Sequence, residues 1–314
     1  MADLLADVLG GNVQAAARLI SLIEDGDPDG YALLRHLHGR TGRAYAVGVT
    51  GPPGAGKSTL VDALTRMLRA GGKTVAVVAV DPTSPFTGGA LLGDRIRMQD
   101  HATDPGVFIR SMATRGSLGG LAPSTTDVVR VLDAMGYDVI FIETVGTGQA
   151  EVDVVGAADT VVIVLVPGLG DTVQTMKAGI MEIGDIFVVN KADQGDADRT
   201  ITEVKMMLAL NPHPAGWHPP VLRAVATSGE GLDEVRTAID AHRADQETTG
   251  ALPERRRRRR RDEILRLVER RAAKKALDAA TRSGRLDALA AQVTAGALDP
   301  YAAAEEILKA GDAQ

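Results

Sequence analysis

An apolar run, Ala44 to Val49, stops at Gly51-Pro52-Pro53-Gly54-Ala55-Gly56-Lys57-Ser58-Thr59, and a helix-forming run from Leu60 to Arg69 follows. The loop fits G-x-x-x-x-G-K-[ST], with Gly51, Gly56, Lys57 and Ser58 in the fixed places. A strand before such a loop and a helix after it separate a phosphate loop from a chance match. Its glycines let successive N–H groups, here from Gly54, Ala55, Gly56 and Thr59 among others, turn around a polyphosphate, and the helix adds its positive dipole end. Lys57 is expected on the β- and γ-phosphates as the catalytic cation, and the Ser58 hydroxyl on Mg²⁺. The competing reading is a Gly/Pro loop with an incidental lysine.

The segments that follow the loop repeat its grammar. Short β-branched runs alternate with amphipathic helical stretches over Ala44–Thr50, Thr74–Val80, Val107–Met112, Asp138–Thr144, Thr160–Val166, Ile186–Asn190 and Val221–Thr227. Continuous apolar runs, rather than in/out alternation, are what a parallel sheet covered by helices on both faces requires. The expectation is an α/β, doubly wound, mostly parallel P-loop domain over residues 44–245. Residues 1–43 read as an N-terminal helical extension, with Leu4, Leu5, Val8 and Leu9 and then Ala16, Leu19, Ile20 and Ile23 at helical spacing. Gln246 to Pro253 reads as a polar hinge within a C-terminal helical arm, 246–314, that has breaks near Ser283-Gly284 and Pro300. Its apolar positions are few for an independent core, so the arm is expected either to pack back on the sheet domain or to serve as a dimerisation arm that pairs with a second copy of itself.

Composition narrows the setting. Hydrophobic residues are 45% of the 314, but aromatics only 3%, so Val, Leu, Ile and Ala must build the core. The formal charge of −6 argues against general nucleic-acid affinity. With no cysteine, disulfides and thiolate metal sites are excluded. The acidic start, Met1-Ala2-Asp3-Leu4-Leu5-Ala6-Asp7, lacks the basic region of a signal peptide, and no apolar run approaches the ~20 residues that cross a bilayer. A cytoplasmic protein with no membrane association is expected.

Four further segments stand where a guanine nucleotide-binding protein needs them. Asn190-Lys191-Ala192-Asp193 follows a buried strand about 135 residues after the phosphate loop. In N-K-x-D, the Asp carboxylate accepts from guanine N1–H and the 2-amino group; adenine offers neither donor, and the unpaired carboxylate would cost several kcal/mol. Asn190 and Lys191 are expected to hold the loop and cover the base. Thr227-Ser228-Gly229 sits where a short loop closes over the guanine oxygen. Glu143, at the end of a strand, is a candidate Mg²⁺ ligand, directly or through water, and Gly146 a γ-phosphate donor. Asp81 and Asp94 are candidates for the metal shell and for ordering the attacking water. On residues alone Asp94 serves equally well as a helix N-cap.

Taken together, GPPGAGKSTL at 51–60, VAVDPTSPFTGGALLGDRIRM at 78–98, FIRSMATRGSLGGLA at 108–122, IETVGTGQAEVDV at 142–154 and VPGLGDTVQTMKAGIMEIGDIFVVNKAD at 166–193 resemble the MeaB/ArgK family. These are the methylmalonyl-CoA mutase-associated GTPases, within the signal-recognition/MinD/BioD class of P-loop proteins. The resemblance spans roughly residues 15 to 270. It implies a homodimeric GTPase, with GTP and GDP as substrate and product and Mg²⁺ as cofactor. Such a protein is a chaperone that gates cofactor loading of an adenosylcobalamin-dependent acyl-CoA mutase and protects or rescues it; the cobalamin belongs to the mutase. It also implies that Gly170 to Lys177 forms an extra switch, with Gln174 and Lys177 as its reporters. Gln149 lies in the wrong context to be assumed the water-positioning glutamine. Two rival functions are a nickel or cobalt metallochaperone GTPase, disfavoured by the missing cysteines and histidine tract, and a kinase linked to amino-acid transport, disfavoured by the guanine loop.

Arg255 to Arg261 is a run of seven arginines. Overall acidity and the lack of interleaved aromatics favour the exposed first turns of a helical arm over a nucleic-acid footprint. The six histidines are scattered, and Trp217 reads as loop packing.

Overall fold

The computed structural model describes residues 2–81, 101, 103–113, 123–144, 154–168, 178–210 and 216–312. They divide into two compact units, Met1–Leu252 and Pro253–Gln314. The first unit is built on seven parallel strands: β1 (Tyr45–Thr50), β2 (Val75–Asp81), β3 (Val107–Ala113), β4 (Val139–Thr144), β5 (Thr160–Leu165), β6 (Ile186–Val189) and β7 (Val221–Arg223). Their order across the sheet is β3-β2-β4-β1-β5-β6-β7. The chain winds one way from β1 through β2 to β3 and the other way from β5 to β7. This is the doubly wound arrangement that places ligands at the carboxyl ends of the central strands.

Period-two packing explains why the apolar runs have no polar face. On β5, Val162 and Val164 pack with Leu60, Val61 and Leu64 of helix α4 (Lys57–Ala70) on one side of the sheet. Val161, Ile163 and Leu165 belong to the opposite layer. That layer contains α2 (Val13–Glu24), α3 (Pro28–Leu37) and α5 (Pro123–Met135), with α1 (Ala2–Leu9) packed beside them. Helix α2 starts at Asn12, whose side chain accepts from the Gln14 and Ala15 N–H groups at 2.9 and 3.0 Å. It buries Leu19, Ile20 and Ile23, each worth about 1.5–3 kcal/mol of transfer free energy. The first 37 residues are thus part of the same core as α5. Asp133 of α5 accepts from the Gly42, Arg43 and Ala44 N–H groups where the chain turns from these helices into β1.

Three local readings change. The run expected as a strand to Thr227 leaves the sheet after Arg223, because Val225 turns back into an antiparallel bridge with Glu230. The segment Gln246 to Pro253 is helical on both sides of Gly250: α8 (Leu232–Thr249) runs through Gln246, whose amide is buried, and α9 (Ala251–Arg282) begins after Gly250, at φ 73°. Trp217 does more than fill a loop, since its Nε1 donates to the Asp185 carbonyl at 2.8 Å and its ring lies against His242. The short helices α6 (Ala178–Ile183) and α7 (Ala197–Leu210) complete the first unit.

The second unit holds most of α9, then α10 (Arg285–Thr294) and α11 (Pro300–Asp312). The expected breaks are there: Gly284 turns at φ 69°, and Pro300 opens α11. Arg285 and Glu306 pair at 2.9 Å between α10 and α11. Arg255 to Arg261 lie within α9 with Arg257, Arg258 and Arg261 exposed. Among the described residues no helix is long and apolar enough to cross a membrane.

Asp104, just before β3, receives Arg69 of α4 through two bonds of 2.7 and 2.8 Å. The Arg69 hydrogen bonds, aided by the Gly106 N–H, hold its carboxyl down at about 2. A depressed folded value stabilises above the unfolded carboxylate range near 3.9. The stability advantage of wild type over Asp104→Asn is therefore expected in full above about pH 5. It should shrink as the pH falls from about 4 to about 2. Thermal melts across that range check the closing of the gap.

Candidate nucleotide site

The phosphate loop leaves β1 at Gly51. Its φ is 137°, and a Cβ there would stand 2.1 Å from the Val164 carbonyl oxygen of the neighbouring strand β5. Gly54 and Gly56 continue the loop at φ 76° and 85°. Helix α4 then starts at Lys57, so Lys57, Ser58 and Thr59 occupy its first turn, where free N–H groups and the dipole favour an anion. Ala55 is buried beneath the loop. The Lys57 ammonium, on a residue only 6% exposed, donates to the Gly51 and Pro52 carbonyls at 2.9 and 3.0 Å. The loop is curled around its own lysine, which has exchangeable partners for a phosphate oxygen.

Glu143 arrives from the carboxyl end of β4, which pairs with β1 in register Val49 to Glu143. Ser58 Oγ donates to Glu143 Oε1 at 2.5 Å, and both residues are buried. Behind them Thr144 donates to Thr50 at 2.7 Å, which ties the ends of β4 and β1. A buried hydroxyl and carboxylate form a hard-oxygen donor pair that fits a magnesium ion completed by phosphate and water. Among the described residues no group of three His, Asp or Glu side chains gathers into a denser metal cluster. Asp81 closes β2 on the same edge of the sheet. Asp94 and Gly146 lie outside the described residues, as do Gln149 and the stretch Gly170 to Lys177.

The guanine-loop candidates converge on one residue. Asn190, 2% exposed, donates from Nδ2 to the Ala55 carbonyl at 2.9 Å and accepts at Oδ1 from the Ala226 N–H at 3.0 Å. One amide therefore joins the phosphate loop to the turn that carries Thr227, Ser228 and Gly229. That turn is closed by the Ser228 and Gly229 N–H groups on the Val225 carbonyl, at 3.1 and 3.0 Å. Lys191 has φ 53°, the only positive value on a non-glycine among the described residues. A left-handed side-chain residue costs about 1–2 kcal/mol, and such strain gathers at ligand sites. The strained turn carries the chain to Asp193, which is exposed. Residue-type patterns do not announce three of these parts: the Ala55 carbonyl, the Ala226 N–H and the Lys191 conformation. Backbone groups carry no signature, and only the place of Asn190 immediately after the end of β6 hinted at the bridging amide.

Residues 16–281 match the family described as methylmalonyl Co-A mutase-associated GTPase MeaB. The chain belongs to the MeaB family of GTPases. Over 310 residues it is 54% identical to a Pyrococcus abyssi protein that carries the general name GTPase, covering 98% of this chain and 95% of that one. It is 35% identical over 271 residues to the mouse methylmalonic aciduria type A homolog, mitochondrial, covering 85% of this chain and 65% of the mouse protein. A crystal structure described as LAO/AO transport system kinase aligns with a TM-score of 0.71 at 26% identity, covering 98% of this chain and 96% of that one. This MeaB-family protein is a P-loop GTPase, and its substrate and product are GTP and GDP.

Asn190→Ala would strip partners from the buried Ala55 carbonyl and Ala226 N–H. A loss of about 2–4 kcal/mol of stability is expected, with guanine nucleotide affinity at least tenfold weaker. Urea denaturation and calorimetry with GDP measure the two effects separately.

Proposed function

We propose that this GTPase is Mg²⁺-dependent and acts as a G-protein chaperone for an adenosylcobalamin-dependent acyl-CoA mutase of the methylmalonyl-CoA type. It gates cofactor loading and protects or reactivates the mutase, with the cobalamin held by the mutase. The observation that carries this reading is the family match over residues 16–281, whose description names the mutase. The name of the mouse relative, a methylmalonic aciduria type A homolog, points the same way.

On this reading the chain's own groups divide the work as follows. Lys57 and the N–H groups of the α4 first turn neutralise the β- and γ-phosphates. Ser58 and Glu143 would hold Mg²⁺, with Asp81 and Asp94 assigned to the same shell by sequence. When bound, that ion would supply charge neutralisation at the β- and γ-phosphates. Asp193 reads guanine, Lys191 covers the base and Asn190 holds the two loops in register. A water oxygen attacks the γ-phosphorus, the bond to the β–γ bridging oxygen breaks, and GDP leaves with phosphate. Gly146 is assigned the γ-phosphate contact that senses the loss. A homodimer formed through residues 246–314 is proposed with it, supported by Ile264, Leu265, Leu267 and Val268, which are exposed on α9. A cytoplasmic setting is part of the same proposal.

Lys57→Ala is expected to abolish most GTP hydrolysis, and Asp193→Asn to erode the preference for GTP over ATP. A radiolabelled γ-phosphate assay follows both and also tests the kinase alternative suggested by the name of the structural relative: label should appear in free phosphate, and label on protein would contradict the hydrolase reading. For the partner, the expected outcome is co-purification of a mutase from the native cytosol whose yield changes when GDP is exchanged for a non-hydrolysable GTP analogue. Identical recovery in both nucleotide states, or none in either, would remove the chaperone assignment while leaving the GTPase intact.

A further inference from the structure

The sheet opens at one seam beside the phosphate loop. Strands β1 and β4 pair from Tyr45 opposite Val139 to Val49 opposite Glu143. One residue further on, each strand is paired only with its other neighbour: Thr50 stands opposite Ile163 of β5, and Thr144 opposite Val80 of β2. Across the opening the link is made by side chains. The Thr144 hydroxyl donates to the Thr50 hydroxyl at 2.7 Å, and the two residues are 1% and 0% exposed.

Each threonine adjoins a residue of the nucleotide site. Thr50 precedes Gly51, the first residue of the phosphate loop, and Thr144 follows Glu143. Side chains alternate between the two faces along a strand. Thr144 therefore shares the face of Ile140 and Ile142, whereas Glu143 shares the face of Phe141, which packs in the layer of α4. On that second face Glu143 Oε1 accepts from Ser58 Oγ at 2.5 Å. The hydroxyl bridge thus stands behind the Ser58–Glu143 pair, with the sheet between them.

Valine at both places would match the shape of threonine and continue the apolar runs of β1 and β4. Buried hydroxyls instead cost free energy unless they are bonded. A valine pair accepts a range of strand separations, whereas the hydroxyl pair is satisfied only close to its 2.7 Å. Threonine is also restricted at χ1, so the oxygen spacing fixes the backbone spacing. We propose, on the reading of Ser58 and Glu143 as the magnesium pair, that Thr50 and Thr144 are positioning residues for that ion. Their bridge sets the distance between the start of the phosphate loop and the end of β4, and through it the separation of Ser58 and Glu143.

GDP affinity with Mg²⁺ and with excess EDTA, the Mg²⁺ dependence of single-turnover GTP hydrolysis, and nucleotide-free thermal melting would be measured on the full chain. The variants are Thr144→Val, Thr144→Ser and the double replacement Thr50→Val/Thr144→Val. Groups that hold metal ligands in place are typically worth about 10–100-fold in metal affinity or activity. Thr144→Val is expected to raise the Mg²⁺ concentration for half-maximal hydrolysis about tenfold, with GDP affinity in EDTA within about twofold of wild type. The gain in GDP affinity that Mg²⁺ provides should fall in the same variant. Thr144→Ser, which keeps the hydroxyl, should recover most of both losses. The double variant orphans no hydroxyl, so it should melt near wild type, yet keep the raised Mg²⁺ requirement. A double variant with the wild-type Mg²⁺ requirement would overturn the proposal, as would a Thr144→Val loss of GDP affinity that is equally large in EDTA. Ser58→Ala and Glu143→Gln separate these results from failure of the underlying reading. If neither lowers the Mg²⁺ gain in GDP affinity, that pair is not the magnesium site and the positioning role falls with it. If either does while the double variant does not, the positioning role alone falls. Should Thr144→Val fail to fold, the double variant decides.

Discussion

At residue 51 the loop passes so close to the Val164 carbonyl that only a hydrogen atom fits where a side chain would begin. Strands β1 and β5 are parallel neighbours, so this contact fixes the direction in which the chain leaves the central strand. Gly56 is pinned in the same way from the other side, where an added Cβ would meet the Asn190 amide nitrogen at 2.4 Å. The phosphate loop is thus clamped between a β5 carbonyl and a residue of the guanine loop. Helix α4 begins immediately after the clamp, and the first-turn N–H groups, Lys57 and Ser58 inherit their positions from it. Glu143 meets Ser58 because β4 is the other neighbour of β1.

Much of this was readable beforehand because parallel sheets write themselves plainly. Both faces of each central strand are covered, so Val47, Val49, Val161 to Val164 and Ile186 to Val189 appear as unbroken apolar runs. The loops that follow them fall at the carboxyl edge by topology alone. The phosphate loop, Glu143 and Asn190 could therefore be placed together before any coordinate was known. The seventh strand was read too long because Val225 and Ala226 are buried and apolar, yet are buried by the turn that Asn190 holds and not by a ladder. The exposure expected of Gln246 was misread for the opposite reason. Gln246 is polar, but its amide donates to the Asp159 carbonyl inside the fold. Composition reports the average solvent exposure of a residue type, whereas one buried hydrogen bond reverses it. The Asp62–His101 contact was equally invisible, since 39 positions separate its members and neither belongs to a recognisable pattern.

The amino edge of the sheet is organised differently. The Tyr45 hydroxyl lies 2.5 Å from Thr160 Oγ1, and Thr160 shares a 2.8 Å hydrogen bond with His242 Nδ1. Tyr45 also donates to Gln246, and Arg243 covers its ring at 4.9 Å from the centroid. The starts of β1 and β5 are joined here to α8 by a buried polar network. Its members are side chains bonded to side chains, which hold a single arrangement because each loses a partner in any other. The carboxyl edge relies instead on backbone groups, one bridging amide and a lysine in a left-handed turn.

That contrast bears on how a small domain tolerates a strained, polar mouth. A left-handed Lys191 and the close passage at Gly51 are unfavourable locally, and both occur within a residue or two of strand ends that are fully buried. The strands cannot shift to relieve the strain, because their other ends are fixed to α8 and their faces to α4 and α5. Asn190 returns the guanine loop to the phosphate loop. Ahead of β3, His101 lies 3.0 Å from Asp62 on the helix that carries Lys57 and Ser58.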